Sequence, residues 1–131
     1  MINVKILKLA SDTKYLGLTN KYTHKITAKN KTCGDKIKLE IIVKKDKISL
    51  IKYDTESCVY CQASASLLAN YLKSSSVKSF KKNFKILNDS ISENKIPKKF
   101  KFINILINHK NKNRYNCIML PFTALSKALN V

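Results

Sequence analysis

Four cysteines, at 33, 58, 61 and 117, carry most of the chemistry this 131-residue chain has to offer. Any one of them in isolation reads as a small buried hydrophobe, the commonest fate of a lone cysteine. Their surroundings argue otherwise. Cys33 stands in Lys31-Thr32-Cys33-Gly34-Asp35, a polar stretch between two strand-like segments, where a core hydrophobe is out of place. Cys58 ends a β-branched run and precedes a small-residue helical pattern, so unpaired N–H groups and the helix dipole favour its thiolate. Cys117 opens the last helical pattern. Three cysteines at three junctions can converge at one end of a sheet. With no leader-like apolar stretch at the N-terminus, disulfides are disfavoured, which leaves metal binding, catalysis or burial.

Cys58-Val59-Tyr60-Cys61 has the spacing of a redox pair or half of a zinc ribbon. The ribbon needs a second such pair, which is absent, and the redox motif belongs in a βαβ context that the preceding segments do not provide. A thiolate cluster with one carboxylate, Asp35, suits Zn²⁺ or an iron–sulfur cluster, because soft thiolates select these ions. The oxygen of Asp35 is a harder and more easily displaced ligand, appropriate to a site that must release what it holds.

The elements that must position these residues follow from periodicity. Residues 2–10 place Ile2, Ile6, Leu9 and Ala10 on one side of a short helix. From Tyr22 to Ala28 alternate residues share a face; Ile37, Leu39, Ile41 and Val43 alternate again; Lys44-Lys45-Asp46 is a turn, and Ile48 to Tyr53 completes a third strand. Helices are expected over 61–72, over 77–87 behind a serine N-cap, and from about Asn116 to Leu129, with Pro121 tolerable only in the first turn. Residues 88–99 read as a mobile loop, and 100–107 is ambiguous between helix and strand. The expected class is α+β: a three-stranded antiparallel sheet with helices packed on one face, as a single domain over 1–131.

Composition sets the outer bounds. Apolar residues make up 44% and charged residues 26%, enough for a globular core without disulfides or structural metal. The longest apolar run is far shorter than the roughly 20 residues of a membrane helix; no membrane partner and a cytoplasmic location are the expectations. The formal net charge is +18, which ordinarily suggests a polyanionic partner. Yet 25 of the 26 basic residues are Lys and only Arg114 is Arg, the preferred reader of phosphate and guanine. The lysines are scattered, as codon bias in an AT-rich genome would scatter them. Specific nucleic-acid binding is therefore ranked below an evenly solvated lysine surface.

Three stretches together resemble a known family. Thr32-Cys33-Gly34-Asp35-Lys36-Ile37, Ser57-Cys58-Val59-Tyr60-Cys61-Gln62-Ala63-Ser64-Ala65-Ser66 and Arg114-Tyr115-Asn116-Cys117-Ile118-Met119-Leu120-Pro121-Phe122 resemble, in order, the three cysteine motifs of IscU/NifU-type iron–sulfur cluster assembly scaffolds. The resemblance implies that Cys33, Cys58 and Cys117 are ligands, that Asp35 lies in the ligand shell, and that Arg114 supports the site. It further implies a transient [2Fe-2S] cluster built with sulfur from a cysteine desulfurase and passed to apo-protein clients, with Cys58 or Cys117 as sulfur acceptor. In two places the chain departs from the pattern. Asn116 stands where the IscU branch has a histidine, which, with Arg114 and the long interval between Cys58 and Cys117, is more similar to the SufU branch and implies a zinc-dependent sulfurtransferase as the alternative. Cys61 stands where the family usually has a non-cysteine; it is an extra ligand, a resolving thiol or a packed helix residue, the last being preferred. A carrier is expected rather than a true enzyme.

His24, on an inward strand face, and His109, in a polar loop, are left out of the site. Asp46, Asp54 and Glu56 read as solvated. With two glycines in the chain, no phosphate-cradling loop can be assembled.

Overall fold

The computed structural model describes residues 4–32, 34–93 and 95–131. Its elements run α1 (Val4–Ser11), β1 (His24–Lys29), β2 (Lys36–Lys44), β3 (Lys47–Glu56), α2 (Val59–Tyr71), α3 (Val77–Ser90) and α4 (Tyr115–Leu129), with short 3-10 turns at Ile91–Glu93, Lys98–Ile105 and His109–Arg114. The three strands form one antiparallel sheet in the order β1-β2-β3, with α2 and α4 against one face. This is the α+β arrangement expected from the periodicity.

Register explains the buried face. Ile26 opposes Leu39, and Leu39 opposes Tyr53; Ala28 opposes Ile37, and Ile41 opposes Ile51. Past Ile42 the pairing slips: Ile42 faces Leu50 but Val43 faces Ile48, so Ser49 is an extra residue in β3. This bulge reverses the alternation and lets Ile48 enter the same core as Ile51 and Tyr53. The β2–β3 turn uses Lys45 and Asp46, both at positive φ (50° and 64°), the geometry of a tight hairpin whose twist matches its strands. The free edge of β3 is covered: Tyr53 N–H donates to the Tyr15 carbonyl and Gly17 N–H to the Tyr53 carbonyl, while Ile48 exchanges bonds with Ser74 and Ser75.

α2 is the central helix. It touches α1, α4, β3 and the 98–105 turns, and Ala63, Ser64, Ala65 and Ser66 are all fully buried, because small side chains let three neighbours approach closely. Gln62 Nε2 donates to the Ala10 carbonyl at 2.8 Å, holding the end of α1. Ser76 caps α3, accepting from Ser79 N–H at 3.0 Å, as the serine run suggests.

Two local expectations are corrected. The stretch 88–99 is not one long loop: α3 continues to Ser90, a 3-10 turn follows, and Pro97 starts another at Lys98. Phe100 and Phe102 within it pack on Phe122, with ring centroids 5.6 and 6.3 Å apart, and Phe100 also meets Phe80 at 6.0 Å; burial of these rings organises a segment with no clean period of its own. Pro121 lies in the second turn of α4, not the first, and cannot donate to the Cys117 carbonyl four residues earlier. Pro121 is itself buried on this helix, and burial offsets the local cost.

Candidate metal centre

Asp35, Cys58 and Cys117 come together beyond the end of the sheet, with their ligand atoms all within 4.8 Å of one another. Each is delivered by a different kind of joint. Asp35 ends the β1–β2 connection, where Asn30 Oδ1 accepts from Thr32 N–H, Gly34 N–H donates to the Asn30 carbonyl, and Asn30 N–H closes on the Asp35 carbonyl at 2.8 Å. Gly34 adopts φ +74°, the left-handed region that costs a glycine little. Cys58 is the N-cap of α2, with extended φ/ψ and its carbonyl accepting from Gln62 N–H. Cys117 is the third residue of α4.

The carboxylate of Asp35 does two jobs at once. Its Oδ1 accepts from the backbone N–H of Cys58 at 3.1 Å, and its Oδ2 accepts from the thiol at 3.4 Å. The residue is only 5% exposed, yet its charge sits at the positive end of α2, where an anion is favoured. Around a tetrahedral ion with bonds of about 2.0–2.3 Å, neighbouring ligand atoms stand about 3.3–3.8 Å apart. The Asp35–Cys58 pair already has that spacing, and one borderline-soft cation or the edge of a thiolate-held cluster matches this donor set.

The remaining candidates fall in separate places. Cys33 lies outside the described residues. Cys61, one turn into α2, is fully buried and is not part of the cluster. Arg114 immediately precedes α4, exposed, with its guanidinium 5.7 Å from the centre of the Tyr60 ring. Asn116 is exposed. His24 is half-buried with Nδ1 2.9 Å from Oγ1 of the preceding Thr23, and it is not part of the cluster. Asp46, Asp54 and Glu56 are exposed, as expected. Periodicity gave no hint of Tyr60 as the partner of Arg114, since the contact spans two helices distant in sequence. Nor did it single out Glu40, a carboxylate on the outer sheet face that is buried by the 19–20 turn: it accepts from Thr19 N–H at 2.7 Å and Asn20 N–H at 3.0 Å.

A three-stranded α+β fold that gathers two thiols and a carboxylate from a strand connection and two helix starts has the donor set of a metal- or cluster-binding protein. The chain is a member of the NifU-like N-terminal domain family, whose pattern matches residues 1–130. It is similar in structure to a NifU-like protein (N-terminal) from Brucella abortus, at 18% identity over 98% of this chain and 91% of that one, TM-score 0.82. It is also similar to a putative iron–sulfur cluster assembly scaffold protein for the SUF system from Fervidobacterium islandicum, at 21% identity over 98% and 96%, TM-score 0.86. No curated protein matches the sequence. No helix among the described residues is long and apolar enough to cross a membrane.

Proposed function

We propose that this protein is an iron–sulfur cluster assembly scaffold, acting as one domain over residues 1–131, that holds a transient [2Fe-2S] cluster as cargo and passes it to apo-proteins. The observation that carries the reading is the meeting of Asp35, Cys58 and Cys117 within 4.8 Å in a chain of the NifU-like family. Cys33, from the motif that also contains Asp35, is the third thiolate ligand. The cluster supplies the redox-active iron and sulfide that clients require. Asp35 supplies the exchangeable oxygen ligand, and its hydrogen bonds to the backbone and thiol of Cys58 keep that thiol in place.

Sulfur reaches the scaffold from a cysteine desulfurase. A thiolate of Cys58 or Cys117 attacks the outer sulfur of the donor persulfide; a new S–S bond forms, the old one breaks, and the donor leaves as thiolate. Cys58 is half-buried and reachable, whereas Cys117 is 3% exposed, which favours Cys58 as the acceptor. The working location is the cytoplasm.

A zinc-dependent sulfurtransferase is the second reading, favoured by Asn116, which stands exposed where the IscU branch has a histidine. There Cys33, Asp35, Cys58 and Cys117 hold Zn²⁺ and release one thiolate to take the sulfur. A basic nucleic-acid-binding module is disfavoured by the near absence of Arg: 25 of the 26 basic residues are Lys, and the single Arg114 lies over the Tyr60 ring. Anaerobic purification followed by iron, zinc and acid-labile sulfide analysis, with an absorption spectrum, separates the readings. Iron with sulfide supports the scaffold, zinc alone the sulfurtransferase, and protein reconstituted with neither overturns both.

A further inference from the structure

The starts of α2 and α4 are joined twice. Arg114, at the head of α4, lies over the ring of Tyr60, and one turn further along both helices the hydroxyl of Ser64 donates to the Ile118 carbonyl at 2.6 Å. The two contacts repeat at the same offset, so α2 and α4 run side by side in the same direction from this end. The second contact is dry, because Ser64 and Ile118 are fully buried. The first closes the exposed end: Tyr60 is 6% exposed and Arg114 lies at the surface. The cysteines of the candidate centre adjoin these contacts along the chain, Cys58 two residues before Tyr60 and Cys117 three after Arg114.

We propose that the Tyr60–Arg114 contact, backed by Ser64–Ile118, is a clasp that fixes the separation of Cys58 and Cys117, which makes Tyr60 a positioning residue for the site. Arg suits the task better than Lys. Its flat guanidinium stacks on an aromatic face and sheds water more readily than an ammonium, and this is the single arginine in a chain with 25 lysines. The ring supplies the π face and the hydroxyl is dispensable. A cation–π contact at a partly exposed site shifts a local equilibrium about two- to five-fold, a modest bias applied at the point where two ligand-bearing helices meet.

The test needs no metal, and only its second arm rests on the proposed function. In full-length protein carrying Cys33→Ser and Cys61→Ala, reduced and stripped with chelator, diamide oxidises the two remaining thiols to the Cys58–Cys117 disulfide and is itself reduced to the hydrazine. Tyr60→Leu and Arg114→Ala slow this cross-link about two- to five-fold, Tyr60→Phe and Tyr60→Trp leave it at the parent rate, and Tyr60→Leu with Arg114→Ala together is no slower than either alone. Should Tyr60→Leu fail to fold, the exposed Arg114→Ala reports alone. An unchanged or faster rate in Arg114→Ala, or a Tyr60→Phe rate as low as that of Tyr60→Leu, overturns the clasp. In the second arm, Co²⁺ added to protein with all four cysteines gives a thiolate charge-transfer band that is weakened in Tyr60→Leu and restored in Tyr60→Phe. Loss of the band in the parent protein overturns the metal-site reading and leaves the cross-link result standing.

Discussion

Replacing Asp35 tests the centre and the fold together. In the metal-free protein Asp35→Ala removes an anionic acceptor from Cys58 N–H (3.1 Å) and from the Cys58 thiol (3.4 Å) at the first turn of α2. A charge-assisted hydrogen bond contributes about 1.5–3 kcal/mol and the anion at a helix N-terminus about 0.3–1 kcal/mol. Against this stands the desolvation of a carboxylate that is 5% exposed, which the substitution relieves. The net loss is about 1–2 kcal/mol, which for a domain of this length lowers Tm by about 3–8 °C. Asp35→Asn keeps a neutral acceptor for the N–H and costs about half as much. Loaded protein separates the two functional readings. A bound cluster lives longer in both variants, because the exchangeable oxygen anion is gone, whereas zinc affinity falls by more than about tenfold in both. Calorimetry of the metal-free protein, decay of the cluster absorption and competition with a zinc chelator are the assays. An unchanged Tm in Asp35→Ala refutes the hydrogen-bond reasoning, and unchanged cluster lifetime and zinc affinity in both variants remove Asp35 from the ligand set.

Cys58→Ser and Cys117→Ser each abolish stable metal or cluster binding while circular dichroism keeps its native shape, since the core buries its apolar residues without any ion; full metal occupancy in either variant counts against the assignment. Cys61→Ala leaves metal content near the parent value and costs about 1 kcal/mol of stability through the small void it opens, read by urea unfolding. Glu40→Ala frees the 19–20 turn and destabilises by about 1–2 kcal/mol with no change in metal content, because the carboxylate serves two backbone N–H groups far from the cluster and its removal also relieves a buried charge. Burial pushes the Tyr53 phenol above its ordinary 10.0, the charge of Asp12 adds to this, and the Ser66 hydroxyl opposes it. The folded state therefore keeps a proton that the unfolded chain gives up: the contribution is complete below pH 10.0 and is lost as pH rises toward the raised folded value. Unfolding curves across that range fall less steeply in Tyr53→Phe than in the parent.

Legibility in the sequence tracked how local the determining interactions are. The strands are readable because alternation is set by one face turned to the core, and the Lys44-Lys45-Asp46 turn because a polar run interrupts that alternation, with Lys45 and Asp46 taking positive φ. The bulge at Ser49 is not, since whether Ile48 or Ser49 points inward is decided by the helices above and by the 74–76 turn pairing with the edge. The 98–105 segment gave no period because it is held by individual phenylalanines that share Phe122 of α4, Phe100 reaching also Phe80 of α3 and Phe102 also Tyr71 of α2. Pro121 was misplaced for a related reason: helix propensity is a local cost, and a buried ring in a tight core outweighs it.

The site divides in the same way. Cysteines at the junctions of elements are visible from sequence because junctions are, and Asp35 shares a motif with Cys33. What stays hidden is everything that crosses between α2 and α4, Tyr60 with Arg114 and Ser64 with Ile118, where neither partner predicts the other. Composition pointed elsewhere altogether. A charge of +18 invites a polyanion, but 25 of the 26 basic residues are Lys, every lysine is exposed or half-exposed, and α2, which Cys58 caps, carries none. The group that is costly to place is the opposite one, a carboxylate buried at a helix start between two thiols. A fold keeps such a residue only where its charge is used, by the N–H and thiol of Cys58 and, on the proposal made above, by the metal that Cys58 and Cys117 help to hold.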